Sequence, residues 1–256
     1  MNFDDVYRST YEYGMRNTVR GKRVREDRDT IVECLSGAFP HRAGDNPAIG
    51  FIEGVQFIAG TAELAPLQAV APKAKLDLFG LSSYYGPRTA SQFPRLIHEL
   101  RNNVGTRRAV LMVAHPEDSP ETVPCTVSIQ FQRAQASSQT LYCTVSMRSS
   151  DLVWGLPYDI IQFSLVANAV ACCCGMSDYD LAIQSGNAHV YETTAVHPSL
   201  WSRMYFAIPV RFGQWEEWVE WARHIVYRDP LLTRGEVLNA FSVQDSTKKG
   251  GDETQK

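Results

Sequence analysis

No C-x-x-C pair occurs among the six cysteines, Cys34, Cys125, Cys143, Cys172, Cys173 and Cys174. Three of them are adjacent and cannot bridge one another in ordinary geometry. No ligand pairs stand at zinc spacing, so neither a disulfide framework nor a metal site is expected. A basic excess is also lacking. The net charge is -3, and no overall positive field draws the chain to nucleic acid or an anionic membrane. No aromatic-basic stripe suggests nucleic-acid binding. Any anion must be held by local arginine clusters. No apolar run reaches transmembrane length, and the opening MNFDDVYRSTYEYG is polar and acidic, unlike a signal peptide. A reduced cytoplasmic protein is the resulting expectation. Internal repeats and long linkers are absent too.

What is present is ordinary globular material: 256 residues, 44% hydrophobic and 21% charged, enough for one substantial core. A single catalytic domain over residues 1–244 is expected, followed by a polar, Gly-containing tail over 245–256 that is expected to be disordered. Val6, Tyr7, Tyr11 and Met15 have helical spacing across Asp4 to Asn17. Ile49 to Ile58 and Phe93 to Asn102 read as helices, and TRRAVLMVA, from Thr106, leads into a strand. Cys125, Val127, Ile129 and Phe131 alternate with Thr126, Ser128 and Gln130, and Leu141, Cys143, Val145 and Met147 alternate likewise. The polar QRAQASSQ between them predicts a hairpin. Tyr158 to Cys174, closed by Gly175, reads as a buried helix. Strands and helices mix without regular alternation, so the class is α+β.

Residue by residue, most polar positions have an ordinary structural reading. A cysteine on an apolar strand face is usually packing. Arg107 and Arg108 fit solvated loop charges, and the run Arg20 to Arg28 is interleaved with acids, as on a solvated face. Asp159, beside Pro157, fits a helix N-cap. His189 and Tyr191 fit a plain strand. WEEWVEWARHI, from Trp215, is an amphipathic helix suited to core or subunit packing. Glu53 among Phe51, Ile52, Val55 and Phe57 needs a partner or a wet cleft, and an inward Arg148 needs an anion.

Taken together these segments form a pattern. MRSSDLVWGLPYDIIQFSL from Met147 and SGNAHVYE from Ser185 resemble the nucleotide-binding signature of the thymidylate synthase family, Q-R-S-x-D-x-x-x-G-x-P-F-N-I followed by G-x-x-H-x-Y. VPCTVSIQF resembles its P-C-H-x-x-x-Q-F strand, TRR its S-R-R loop, EGVQFIAGT its E-L-L-W-F-L-x-G-x-T, and YYG its Y-G. The blocks keep family order from about Arg20 to Tyr191 and are closest to the cytidylate (CMP or dCMP) 5-hydroxymethylases. The resemblance implies a large mixed sheet flanked by helices, with one sheet face used for homodimerisation. It implies a pyrimidine nucleoside monophosphate as substrate and 5,10-methylenetetrahydrofolate as co-substrate, with no metal. Cys125 is implied as the nucleophile, Glu53 as the residue ordering water and moving protons, and Tyr85 as its neighbour. Arg148 and Ser149 are implied at the phosphate, Arg107 and Arg108 at the partner subunit's phosphate, and Arg23 or Arg25 as the N-terminal phosphate arginine. Asp151 is implied at base and folate, and His189 with Tyr191 at the sugar.

Several positions depart from that pattern. Asp159 replaces the asparagine that reads uracil. Uracil presents an N3 donor and an O4 acceptor, and cytosine reverses both. A carboxyl accepts from the cytosine amine and, when protonated, donates to N3. Leu76 replaces a cofactor-facing tryptophan, Thr126 a histidine, and the polar tail an apolar C-terminus. A wetter site favours water over hydride at the trapped methylene. The expected activity is therefore transfer of a hydroxymethyl group to carbon 5 of CMP or dCMP. The alternatives are methylation of a uridylate, and a nucleotide-binding homologue without turnover.

Overall fold

The computed structural model describes residues 1–34, 36–71, 84–133 and 139–245. Leu76 and most of the polar tail lie outside them. Their order is α1 (Phe3–Tyr13), β1 (Met15–Val19), β2 (Lys22–Cys34), β3 (Ala38–His41), α2 (Ala48–Ala59), α3 (Leu64–Val70), α4 (Phe93–Asn102), β4 (Val110–Met112), β5 (Thr126–Gln132) and β6 (Thr140–Met147). Then come β7 (Ser150–Asp151), α5 (Leu156–Cys173), β8 (Asp178–Tyr191), β9 (Ser202–Tyr205), α6 (Trp215–Val226), α7 (Arg234–Ala240) and β10 (Gln244–Asp245). The class is α+β, as the mixed patterning predicts.

The main sheet runs β1-β2-β8-β6-β5-β4, with β7 paired to β8. All its neighbours are antiparallel except β6 with β8 and β7 with β8. A parallel neighbour needs a crossover, and α5 supplies it between β6 and β8. By length and composition α5 could cross a membrane, yet 89% of it is buried inside the fold. It packs on α2, where Gly50 and Gly54 let the two helices approach to backbone distance. A Cβ at Gly50 would lie 2.9 Å from the Tyr158 carbonyl oxygen, and one at Gly54 3.1 Å from Gln162 Cα. α6 covers the other side of α2, its Trp215 stacked 3.9 Å from Phe93. The smaller sheet, β10-β9-β3, closes that end.

Three expectations are corrected. The first helix ends at Tyr13, and Met15 and Asn17 belong to β1. Arg20 and Gly21 both have positive φ, 50° and 75°, the signature of the two-residue turns that join antiparallel strands. The β1–β2 hairpin therefore outcompetes the last helical turn. Second, the alternation fails at the start of the strand: Ile129 and Phe131 are buried, but Val127 is half-buried and Cys125 does not point inward. β5 begins at Thr126, and a register shift between Thr126 and Ser128 buries Thr126 and leaves Cys125 exposed. A bulge of this kind re-aims a side chain at a strand end. Third, Asp245 pairs with Met204 and is strand, where the tail was expected to begin.

Candidate active site

One cavity of about 480 Å³ opens where the ends of β6, β7 and β8 meet α2 and the first turn of α5. It gathers Cys125, Glu53, Tyr85, Arg148, Ser149, Asp151, Asp159, His189 and Tyr191, residues drawn from positions 53 to 191 of the chain.

Cys125 follows Pro124 at the mouth of β5. Although its surface is open to the cavity, the groups packed around the sulfur desolvate it and raise its thiol above the usual range, while the Arg148 guanidinium pulls it down. Arg148 is not a free inward cation. Its Nε donates to the Pro124 carbonyl at 3.1 Å and one Nη to the Val123 carbonyl at 3.0 Å. The backbone N–H of Arg148 donates to the Cys125 carbonyl at 2.8 Å. One arginine thus fixes the segment that carries the thiol and supplies positive charge beside it. Ser149 Oγ lies 3.4 Å from His189 Nδ1, and the His189 and Tyr191 rings meet edge to face at 5.1 Å, both facing the cavity from β8.

Asp151 shapes the next turn. Its Oδ1 accepts from the N–H groups of Val153 and Trp154 at 2.8 and 3.0 Å, a local turn that launches α5. Gly155 is the residue flanking that helix, so Asp159 is not its N-cap. Asp159 lies one turn in, buried, with Gln162 Nε2 donating to its Oδ1 at 2.7 Å. Burial pushes the Asp159 carboxyl up to about 7, against the lowering effect of the Gln162 bond. Glu53, on α2, is raised well above the carboxylate range, first by burial and then by Asp159. The Tyr85 ring lies parallel to Phe163 at 6.0 Å, and burial, then Asp159, lifts its hydroxyl. Desolvation thus biases both carboxyls facing this space toward their neutral forms.

Four arginines from the sequence reading lie elsewhere. The Arg23 side chain is 82% exposed, 3.9 Å from Glu192. Arg25 donates to the Tyr11 carbonyl and lies over the Tyr11 ring. The hairpin tip instead brings Arg20 and Lys22 to the cavity, and the Arg20–Gly21 turn pair was the signal for it. Arg107 and Arg108 are exposed before β4, Arg108 paired with Glu99 at 3.1 Å, and neither lines this cavity. Trp154, Tyr158, Gln162 and Asn187 also line it without having been singled out. The Trp154 ring is backed by Arg42 at 4.6 Å, itself paired with Asp45 at 2.9 Å. Among the described residues no group of three or more His, Cys, Asp or Glu is arranged to hold a metal.

The pattern of the thymidylate synthase family matches residues 47–230. The thymidylate synthase of Agaricus bisporus is 31% identical over 113 residues, 42% of this chain and 38% of that protein. That of Coxiella burnetii (strain RSA 493 / Nine Mile phase I) is 29% identical over 108 residues, 41% of this chain and 40% of that one. The chain thus spans about two fifths of the length of the curated relatives it matches. With the family pattern covering most of its residues and the motif positions gathered at one cavity, the chain belongs to the thymidylate synthase family.

Proposed function

We propose that this chain is a cytidylate 5-hydroxymethylase, which places a one-carbon unit from 5,10-methylenetetrahydrofolate on carbon 5 of CMP or dCMP and completes it with water. The observation that carries this reading is Asp159. Its carboxyl, held near pH 7 and pinned by Gln162, stands where the family pattern has an amide. When neutral it offers a donor to cytosine N3 and an acceptor to the N4 amine.

The cavity's size suits a small-molecule ligand of nucleotide scale or more, and Trp154 gives its wall a flat aromatic face supported from behind. Trp154, Asp151 and Tyr158 would be the residues that hold the ring of a folate there. When bound, that co-substrate supplies a carbon at the oxidation level of formaldehyde. The protein's part is nucleophilic and acid–base. The Cys125 thiolate bonds to ring carbon 6, and the displaced electron pair makes carbon 5 the nucleophile. Once carbon 5 has bonded to that carbon, loss of the carbon 5 proton to a base in the cavity and departure of the folate nitrogen with the electron pair of its bond to that carbon would leave an exocyclic methylene. Water adds there, giving its oxygen to the methylene and its proton to the Glu53 carboxylate. The electron pair released into the ring re-forms the 5,6 double bond and expels the Cys125 thiolate. Arg20, Lys22, Arg148 and Ser149 are the candidates for the phosphate, His189 and Tyr191 for the sugar.

We also propose a homodimer. The outer face of the main sheet carries Ile31, Gln184, Ser146 and Ser128 in one cross-strand row and Glu33, Ala182, Thr144 and Gln130 in the next. None of these eight is classed as buried. A second copy seated there offers Arg107 and Arg108 a phosphate in the partner's cavity.

A second reading, methylation of a uridylate, is favoured by the names of the relatives described above, both thymidylate synthases. Incubation with CMP, dCMP or dUMP, formaldehyde and tetrahydrofolate, followed by mass spectrometry, separates the two. A gain of one hydroxymethyl unit on a cytidylate is expected, and it disappears in Cys125→Ser. Methylated uridylate alone overturns the proposal.

A further inference from the structure

The wall behind Glu53 is hollow. Glu53, Tyr85 and Gln162 line the main cavity and also a second space of about 10 Å³ on its far side, walled further by Gln56, Phe57, Thr61, Tyr84 and Gly86. That is room for the centre of one water molecule. Three buried polar atoms of these walls, Gln56 Oε1, Thr61 Oγ1 and the Tyr84 hydroxyl, have no hydrogen-bond partner among the described residues. Gln56 is 2% exposed, and its Nε2 is already committed to the Glu63 carbonyl, which leaves Oε1 as the unpaired end of the amide. In the motif that EGVQFIAGT resembles, this position carries a tryptophan. Buried polar groups in native proteins find partners. Three orphans around one water-sized space share a single candidate occupant.

We propose that this chamber is a fixed water site that positions Glu53 from behind, with Gln56, Thr61 and Tyr84 as its holders. The valences close. The Thr61 and Tyr84 hydroxyls donate to the water, and the water donates to Gln56 Oε1 and to one Glu53 carboxyl oxygen. That oxygen is thereby occupied at the back, and the other faces the nucleotide cavity. A donor to the carboxylate favours its charged form. It opposes the groups that face Glu53 from the packed elements: Asp159 and Tyr158 on α5, and Tyr84 and Tyr85 on the segment before α4. The other walls of the main cavity carry Cys125, Asp151 and Arg148, with Arg20, Lys22 and Glu26 from the hairpin and His189 and Tyr191 from β8.

The inference deepens the reading of Glu53 as the site's proton-handling group, and it is tested on the protein without nucleotide. Tyr84→Phe removes one oxygen and little volume, and Thr61→Val does the same from another wall. The Glu53 titration is followed by carboxyl infrared or carbon NMR signals, assigned by their loss in Glu53→Gln. A crystal structure of the wild type is expected to show one ordered water in the chamber. Each variant is expected to move the Glu53 midpoint upward by about half to one pH unit. In turnover, the limb of the pH–rate profile set by Glu53 is expected to move with it, with KM for the nucleotide unchanged. A dry chamber, or an unmoved midpoint in folded Tyr84→Phe and Thr61→Val, overturns the proposal. An ordered water and a shifted midpoint without one-carbon transfer to any nucleotide uphold the water site and overturn the activity instead.

Discussion

At position 159 the structure sets a carboxyl where its charge changes near neutral pH, and three measurable effects follow from that one side chain. A neutral Asp159 is needed to donate to cytosine N3, so cytidylate binding is expected to weaken roughly tenfold between pH 6 and pH 8 as the proton is lost around pH 7. Calorimetric titration at both pH values checks this, and Asp159→Asn is expected to abolish the step and move preference toward uridylate. The same shift bears on stability. The ordinary carboxyl value is 3.8 and the folded value about 7, so between those limits the folded state binds the extra proton. Stability contributed by this group is therefore present at low pH and lost as pH rises through that window. Asp159→Asn is expected to gain up to about 4 kcal/mol at pH 8, shrinking toward nothing near pH 4. Denaturant unfolding at the two pH values measures it, and an equal gain at both ends would falsify the burial argument.

At the scale of elements, the segment before β5 is held by Arg148, whose guanidinium bridges the Val123 and Pro124 carbonyls. Arg148→Ala is expected to cost roughly 1–2 kcal/mol and to raise the Cys125 thiol further, since the largest lowering influence is gone. Alkylation of Cys125 by iodoacetamide is then slower at any given pH below its midpoint. Arg148→Lys restores the charge without the forked geometry, so it is expected to recover the thiol's reactivity more fully than the stability. Helices with a long apolar period were legible in the sequence. Ile49 to Ile58 appears as Ala48–Ala59, and FPRLIHELRN begins and ends where its pattern does. The misreadings share a cause. Met15 lies four residues after Tyr11 and mimics a helical face, but the strand pairing through Arg20 and Gly21 decides its conformation, and that pairing depends on β8, more than 150 residues away. The bulge that re-aims Cys125 likewise comes from its fit to β6. The motif residues of the site were legible as a pattern. Trp154, Gln162 and the Arg20–Lys22 tip were not, because only the closed fold brings them to one space.

For the whole molecule, the proposed dimer makes each cavity a joint property of two chains. Arg107 and Arg108 lie away from their own chain's cavity, so a chain carrying Arg107→Ala and Arg108→Ala is expected to lose phosphate affinity although it keeps every group around Cys125. Mixing it with the Cys125→Ser chain is expected to restore activity, because one cavity of each heterodimer then has both the thiol and the partner's arginines. Sedimentation of Thr144→Arg, which places charge on the outer sheet face, is expected to show a monomer. No recovery on mixing would overturn the shared cavity.

The close meeting of α2 and α5 has a further consequence. Gly50 and Gly54 leave no room for a Cβ between these helices, so a side chain added at either position would push apart the two elements that carry Glu53 and Asp159. If the chain is the proposed cytidylate enzyme, its choice of base is expected to change through exchange of the side chain at position 159 rather than through a shift of one helix against the other.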